Sequence, residues 1–124
     1  MSYSMKHLQL EREAWLRALD YIQEENIYFK TNLAFIIKND IDIQTLEEAE
    51  HFHSIFINND SMIALLRHDI LELSRMTTDK RNNKNNMDSN EEMQDKIRNA
   101  ITLTEDEFNK LKMLFSAYLA KALL

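Results

Sequence analysis

The chain of 124 residues contains no glycine, no proline and no cysteine. It contains no valine either. At average usage a chain of this length carries about 9 Gly and about 6 Pro. Glycine serves wherever φ must be positive, and proline pre-sets many turns. A chain with neither has few tight turns. The missing valine removes a common β-branched strand former. These absences predict an all-α fold with few, loose connections.

The same absences exclude several chemistries. Without cysteine there are no disulfides, thiolate zinc sites or cysteine nucleophiles. Without glycine there is no phosphate-cradling loop of the Rossmann or P-loop kind, and no Gly-x-Ser-x-Gly elbow. No apolar run approaches the ~18 residues of a membrane-spanning helix. Met1 to Trp15 has no stretch of signal-peptide type, so the expected location is cytoplasmic. The Ile, Lys and Asn bias suggests an A/T-rich bacterial genome.

What is present is a soluble, core-forming composition, with 44% hydrophobic and 29% charged residues. One domain is the natural count. The net charge is −6, and it is unevenly spread. Residues 39–79 hold nine acids against Arg67 and Arg75, a balance of −7. The flanking thirds are close to neutral. No basic stripe exists, so neither direct nucleic-acid binding nor binding to anionic membrane is expected.

Periodicity predicts three helices, over about 4–38, 44–77 and 90–123. The first has one seam of Leu8, Trp15, Ile22, Phe29 and Ile36, interleaved with Met5, Arg12, Leu19, Asn26 and Leu33. Steps of 3 and 4 are the mark of a coiled-coil-like seam. The second seam is Ala49, Phe52, Phe56, Asn59, Ile63, Leu66, Ile70 and Leu73. The third is Ile97, Ile101, Thr104, Phe108, Leu111, Phe115, Tyr118 and Ala122. Arg12, Asn26 and Asn59 are therefore polar seam residues, suited to fixing register. Thr45 with Glu48 and Ser89 with Glu92 read as capping boxes opening the second and third helices. Thr104 with Glu107 is a third such pair, which leaves open a break there; the heptad phase nevertheless continues across it. Residues 79–89, rich in Asn and Lys, read as a mobile surface loop. Three helices of similar length make an antiparallel up-down-up bundle.

A second apolar stripe lies outside the seams. On the first helix it runs Ala14, Tyr21, Tyr28, Phe35, and on the second Ile57, Ala64, Leu71. The last 14 residues, Leu111 to Leu124, include only Lys112, Ser116 and Lys121 as clearly polar members. Contiguous apolar patches are uncommon on monomers. Tyr21, Tyr28, Phe35, Ile57, Leu71, Leu119 and Leu123 are thus candidate interface residues. The expectation is a homo-oligomer, most simply a two-fold dimer packing the first helix on its mate, or docking of another protein.

Candidate chemistry is thin, and no cofactor is expected. Glu48 with His51 and Glu50 with His53 match the Glu-x-x-His spacing of di-iron bundles. The two histidines stand ~200° apart around a helix and cannot share a metal. Glu47, Glu48 and Glu50, with Asp69 and Glu72, loosely resemble the carboxylate helices of all-α nucleotide pyrophosphohydrolases. The resemblance covers about 26 residues. It departs from the family where His51 replaces a third acid, and where the second pair runs Asp69 then Glu72. It implies the alternative reading, a Mg- or Mn-dependent enzyme acting on nucleotides. No nucleophile–base–orienter set is apparent. The leading expectation is a non-enzymatic helical interaction or assembly protein.

Overall fold

The computed structural model describes residues 4–39, 42–78 and 84–123, with side chains placed from residue 89 in the last segment. It consists of three helices: α1 (Met5–Asn39), α2 (Ile43–Thr78) and α3 (Lys84–Ala122). No strand occurs among the described residues, and none of them has positive φ. Each helix exceeds 50 Å at 1.5 Å per residue.

The helix ends explain the bounds. Ser4 caps α1: its hydroxyl accepts from the His7 amide at 3.1 Å. Asp42, not Thr45, caps α2. The Asp42 carboxylate accepts from the Thr45 amide at 3.0 Å and from the Thr45 hydroxyl at 2.8 Å. Thr45 is therefore the third residue inside the helix. Those two bonds, the hydroxyl's first, hold the Asp42 carboxyl below its usual range.

α3 departs most from expectation. It begins at Lys84, so residues 84–89 are helical and Ser89 does not cap anything. Residues 79–83 of the expected loop lie outside the described residues. Asn90 and Gln94 are both in the core, two turns and one turn before Ile97. Their seam positions continue the 3–4 step upward. α3 also runs unbroken through Thr104.

Contacts between helices set the topology. Arg12 meets Ser74, and Asn26 meets Phe56 and Asp60, so α1 and α2 run antiparallel. Phe52 packs on Tyr118 and Phe56 on Phe115, so α2 and α3 are antiparallel too. Arg12 meets Gln94 and Glu25 meets Lys112, so α1 and α3 are parallel. This is the up-down-up bundle. α1 packs most closely on α2 and least closely on α3.

The core follows the seams. On α1 nine of the ten expected seam residues are buried, Met5 alone being exposed. An ideal helix drifts ~20° per heptad against a 3.5-residue repeat, so a 35-residue seam requires the helices to wrap gently. One half of the core is aromatic. Phe115 stands 5.0 Å from both Phe29 and Phe56, and 5.2 Å from Phe52, ring centre to ring centre. The Tyr118 hydroxyl donates to the Thr45 carbonyl at 2.9 Å, so its ring is buried while its polar tip is satisfied.

Candidate functional site

Two polar layers interrupt the core. In the first, Arg12 is only 3% exposed. Its Nε donates to Ser74 Oγ at 3.1 Å and its Nη1 to Gln94 Oε1 at 3.0 Å. Gln94 Nε2 in turn donates to the Leu8 carbonyl at 3.1 Å and to Glu11 Oε1 at 3.0 Å. Arg98 closes the layer with two bonds to Glu11, at 2.7 and 2.6 Å, and another to Asp95. The Arg98 guanidinium also lies 6.0 Å from the Trp15 ring centre. Burial lowers the pKa of Arg12, since both its direct partners are neutral. Hydrogen bonding to Glu11 raises that of Arg98 and lowers that of Glu11 itself.

The second layer centres on Asn26, which is fully buried. Its Nδ2 donates to the Phe56 carbonyl at 2.9 Å and to Asp60 Oδ1 at 2.5 Å. Lys30 Nζ bonds the other Asp60 oxygen at 2.6 Å. Asn26 Oδ1 is buried without a partner. Asn59, expected in the seam, is half-buried and makes none of these bonds. The neighbouring Asp60, turned ~100° toward α1, takes the role instead.

Both layers bridge helices, and Lys30 and Asp60 of the second also line an open cleft between α1 and α2. Among the described residues neither layer sets a nucleophile beside a base. The five carboxylates of the alternative reading do not converge either. All lie on one continuous helix, α2, where Glu50 and Asp69 are about 28 Å apart along the axis. Glu72 is held by Arg75, which lowers its pKa. His51 and His53 are exposed. Among the described residues no group of three or more His, Asp or Glu could hold a metal ion, and no helix is long and apolar enough to cross a membrane.

The outer surface is more informative. Tyr21, Tyr28 and Phe35 are 52%, 60% and 60% exposed, although the opposite face of α1 already fills the core. Ile57, Leu71 and Leu123 are exposed as well. Leu119 is not free: it is half-buried and packs on the core.

The seven candidates fall on two faces of the bundle. Lys112 of α3 reaches over the Tyr21 ring at 5.3 Å and donates to its hydroxyl at 2.8 Å and to Glu25 at 2.9 Å. The Tyr21, Tyr28, Phe35 row therefore borders α3. Leu119 follows Lys112 by two turns on the same flank. Paired residues on α1 and α3 are 82 to 91 positions apart, which sets Leu119 and Leu123 level with the Tyr28–Phe35 stretch. A cleft of about 310 Å³ lies beside Tyr21, between Arg17 and Ala18 of α1 and Glu105 and Asn109 of α3.

Ile57, Ala64 and Leu71 lie elsewhere. They follow the row one turn from Asp60 and Arg67, which bond across to α1: Asp60 to Lys30, and Arg67 to Asp20 at 2.6 Å. Ile57 and Leu71 thus flank the α1/α2 seam, with Ile27 opposite. A second cleft of about 310 Å³ lies here, lined by Gln23, Ile27, Lys30, Asp60, Ala64 and Arg67 among others. Ion pairs bridge both faces, Lys30–Asp60 and Arg67–Asp20 on the α1/α2 side and Glu11–Arg98 and Glu25–Lys112 on the α1/α3 side; beyond Lys112 the α1/α3 side carries Tyr28, Phe35, Leu119 and Leu123.

Comparison with known proteins adds no relative: the chain matches no family model, no curated protein and no solved structure.

Proposed function

We propose that this chain is a non-enzymatic helical interaction or assembly protein that self-associates through the apolar stripes outside its core. One observation carries the reading. Tyr21, Tyr28 and Phe35 repeat every seven residues on one continuous helix, each more than half exposed, while the other side of that helix is buried. Single exposed apolar residues are ordinary. A row of three aromatics in register is the pattern of a helix face that docks on another. The bacterial cytoplasmic setting belongs to the same proposal and rests on composition alone.

The test is mass in solution. Light scattering over a range of concentrations is expected to give a multiple of 14.8 kDa. Tyr28→Glu, which buries a charge wherever that face is covered, is expected to lower it toward the monomer. A wild-type monomer at the highest concentration refutes self-association.

A further inference from the structure

We infer that two copies of this chain pack α1 antiparallel on α1 across a two-fold axis near Tyr28, with Leu119 and Leu123 of α3 on the flanks. The inference rests on the self-association proposed above and names the face that carries it.

The available area fits a second copy. Tyr21, Tyr28, Phe35 and Leu123 are each more than half exposed. Large apolar side chains present roughly 150–250 Å² when fully exposed, so these four leave about 400 Å² open. A stable interface takes about 800 Å² per partner, about 60% of it apolar. The stripe supplies most of that apolar part.

Charge selects the face. Each copy carries −6, and the excess lies on the segment that forms α2. In a three-helix bundle the α1/α3 face is the one opposite α2. Contact there keeps the two acidic helices as far apart as the assembly allows. Contact through Ile57 and Leu71 instead sets them side by side. On the α1/α3 face Glu25 and Lys112 already neutralise each other at 2.9 Å, so neither copy meets a bare charge at that point. A basic partner helix would be drawn to α2 instead.

Charge also selects the direction. Arg17, Glu24 and Lys38 are exposed in a row beside the aromatic stripe. A parallel pair sets each against its own copy, like charge on like. An antiparallel pair about Tyr28 sets Arg17 opposite Asn39 and Glu24 opposite Asn32. Tyr21 then meets Phe35 of the second copy.

The absence of cysteine allows a direct test, because a single introduced thiol has one possible partner, its own copy. Under mild oxidation Tyr28→Cys is expected to form a disulfide dimer in most of the chain, since residues on the axis come within bridging distance. Tyr21→Cys and Phe35→Cys are expected to link poorly alone and well when mixed. Ile57→Cys and Leu71→Cys are expected not to link. Each variant is first checked for native helicity and for the wild-type mass under reducing conditions. Linking at Ile57 or Leu71 without Tyr28 overturns the face and leaves self-association standing. Self-linking at Tyr21, Tyr28 and Phe35 alike overturns the direction. No linking in a chain that light scattering shows to be dimeric overturns the face. A monomeric wild type removes the proposal of self-association on which this inference rests.

Discussion

The two halves of the core solve the same packing problem with different materials. Toward the α2 N-terminus, Phe29, Phe52, Phe56, Phe115 and Tyr118 fill the space between helices. Toward the opposite end, Arg12, Gln94, Ser74, Glu11 and Arg98 fill it with a hydrogen-bonded network. The aromatic half supplies burial, which is strong but indifferent to register: rings accept several offsets. The polar half supplies less net free energy, because each bond replaces one to water. Its bonds are directional, so a slip of one turn between α1 and α3 takes Gln94 away from the buried Arg12. The polar layer is therefore expected to be the part that holds α3 in register on α1.

The largest effect is expected where the aromatic half is emptied. Phe115 is fully buried and touches four other rings. Phe115→Ala should cost about 3–5 kcal/mol in urea unfolding. A loss below about 1 kcal/mol would mean that this half is not tightly packed and that the comparison fails.

The seams of this contrast were largely legible beforehand. Heptad spacing placed Arg12 and Asn26 inside, and both are inside. It did so because the apolar residues above and below each fix the phase. Asn90 and Gln94 escaped notice because a polar residue carries no periodic signal of its own. The start of α3 was put at residue 90 because Ser89 with Glu92 has the spacing of a capping box and the stretch before it is rich in Asn and Lys. Asp60 was missed because Asn59 occupies the ideal seam position. The choice between them depends on where α1 stands, which no local pattern encodes. The outer stripes were legible as rows, but not their division between two faces. That division follows from how the helices are arranged around the bundle.

An intermediate effect separates cost from register in the polar half. Arg12→Ala leaves Gln94 Oε1 without its donor and opens a void, and should cost about 2–3 kcal/mol. Arg12→Met with Gln94→Met replaces both partners by apolar groups of similar length. It should recover most of that loss, as paired apolar replacements do. The double variant is then expected to show what the layer is for. Cysteine pairs placed across α1 and α3 should cross-link in one register in the wild type and in several in the double variant. A single register in both would assign specificity to the aromatic half instead.

The smallest effect isolates the ion pair at the rim of that layer. Glu11 accepts two bonds from Arg98, and the two side chains are 22% and 30% exposed. Such a pair is worth about 1 kcal/mol, more than a fully exposed one, once partial screening is allowed for. The Arg98 hydrogen bonds hold the Glu11 carboxyl below its ordinary 4.5 in the folded chain. A depressed folded value means that the unfolded chain binds the proton more readily. The contribution is therefore complete above about 4.5 and is lost as the pH falls through the folded value. Glu11→Gln should lower stability by about 1 kcal/mol at neutral pH. The gap to wild type should close as the pH falls through the folded value, where the wild-type carboxyl is protonated as well. A gap that persists unchanged into acid would show that Glu11 contributes as a hydrogen-bonding shape and not as a charge. Gln94 and Arg98 would then have to be counted with the directional bonds of the core instead of with its surface electrostatics.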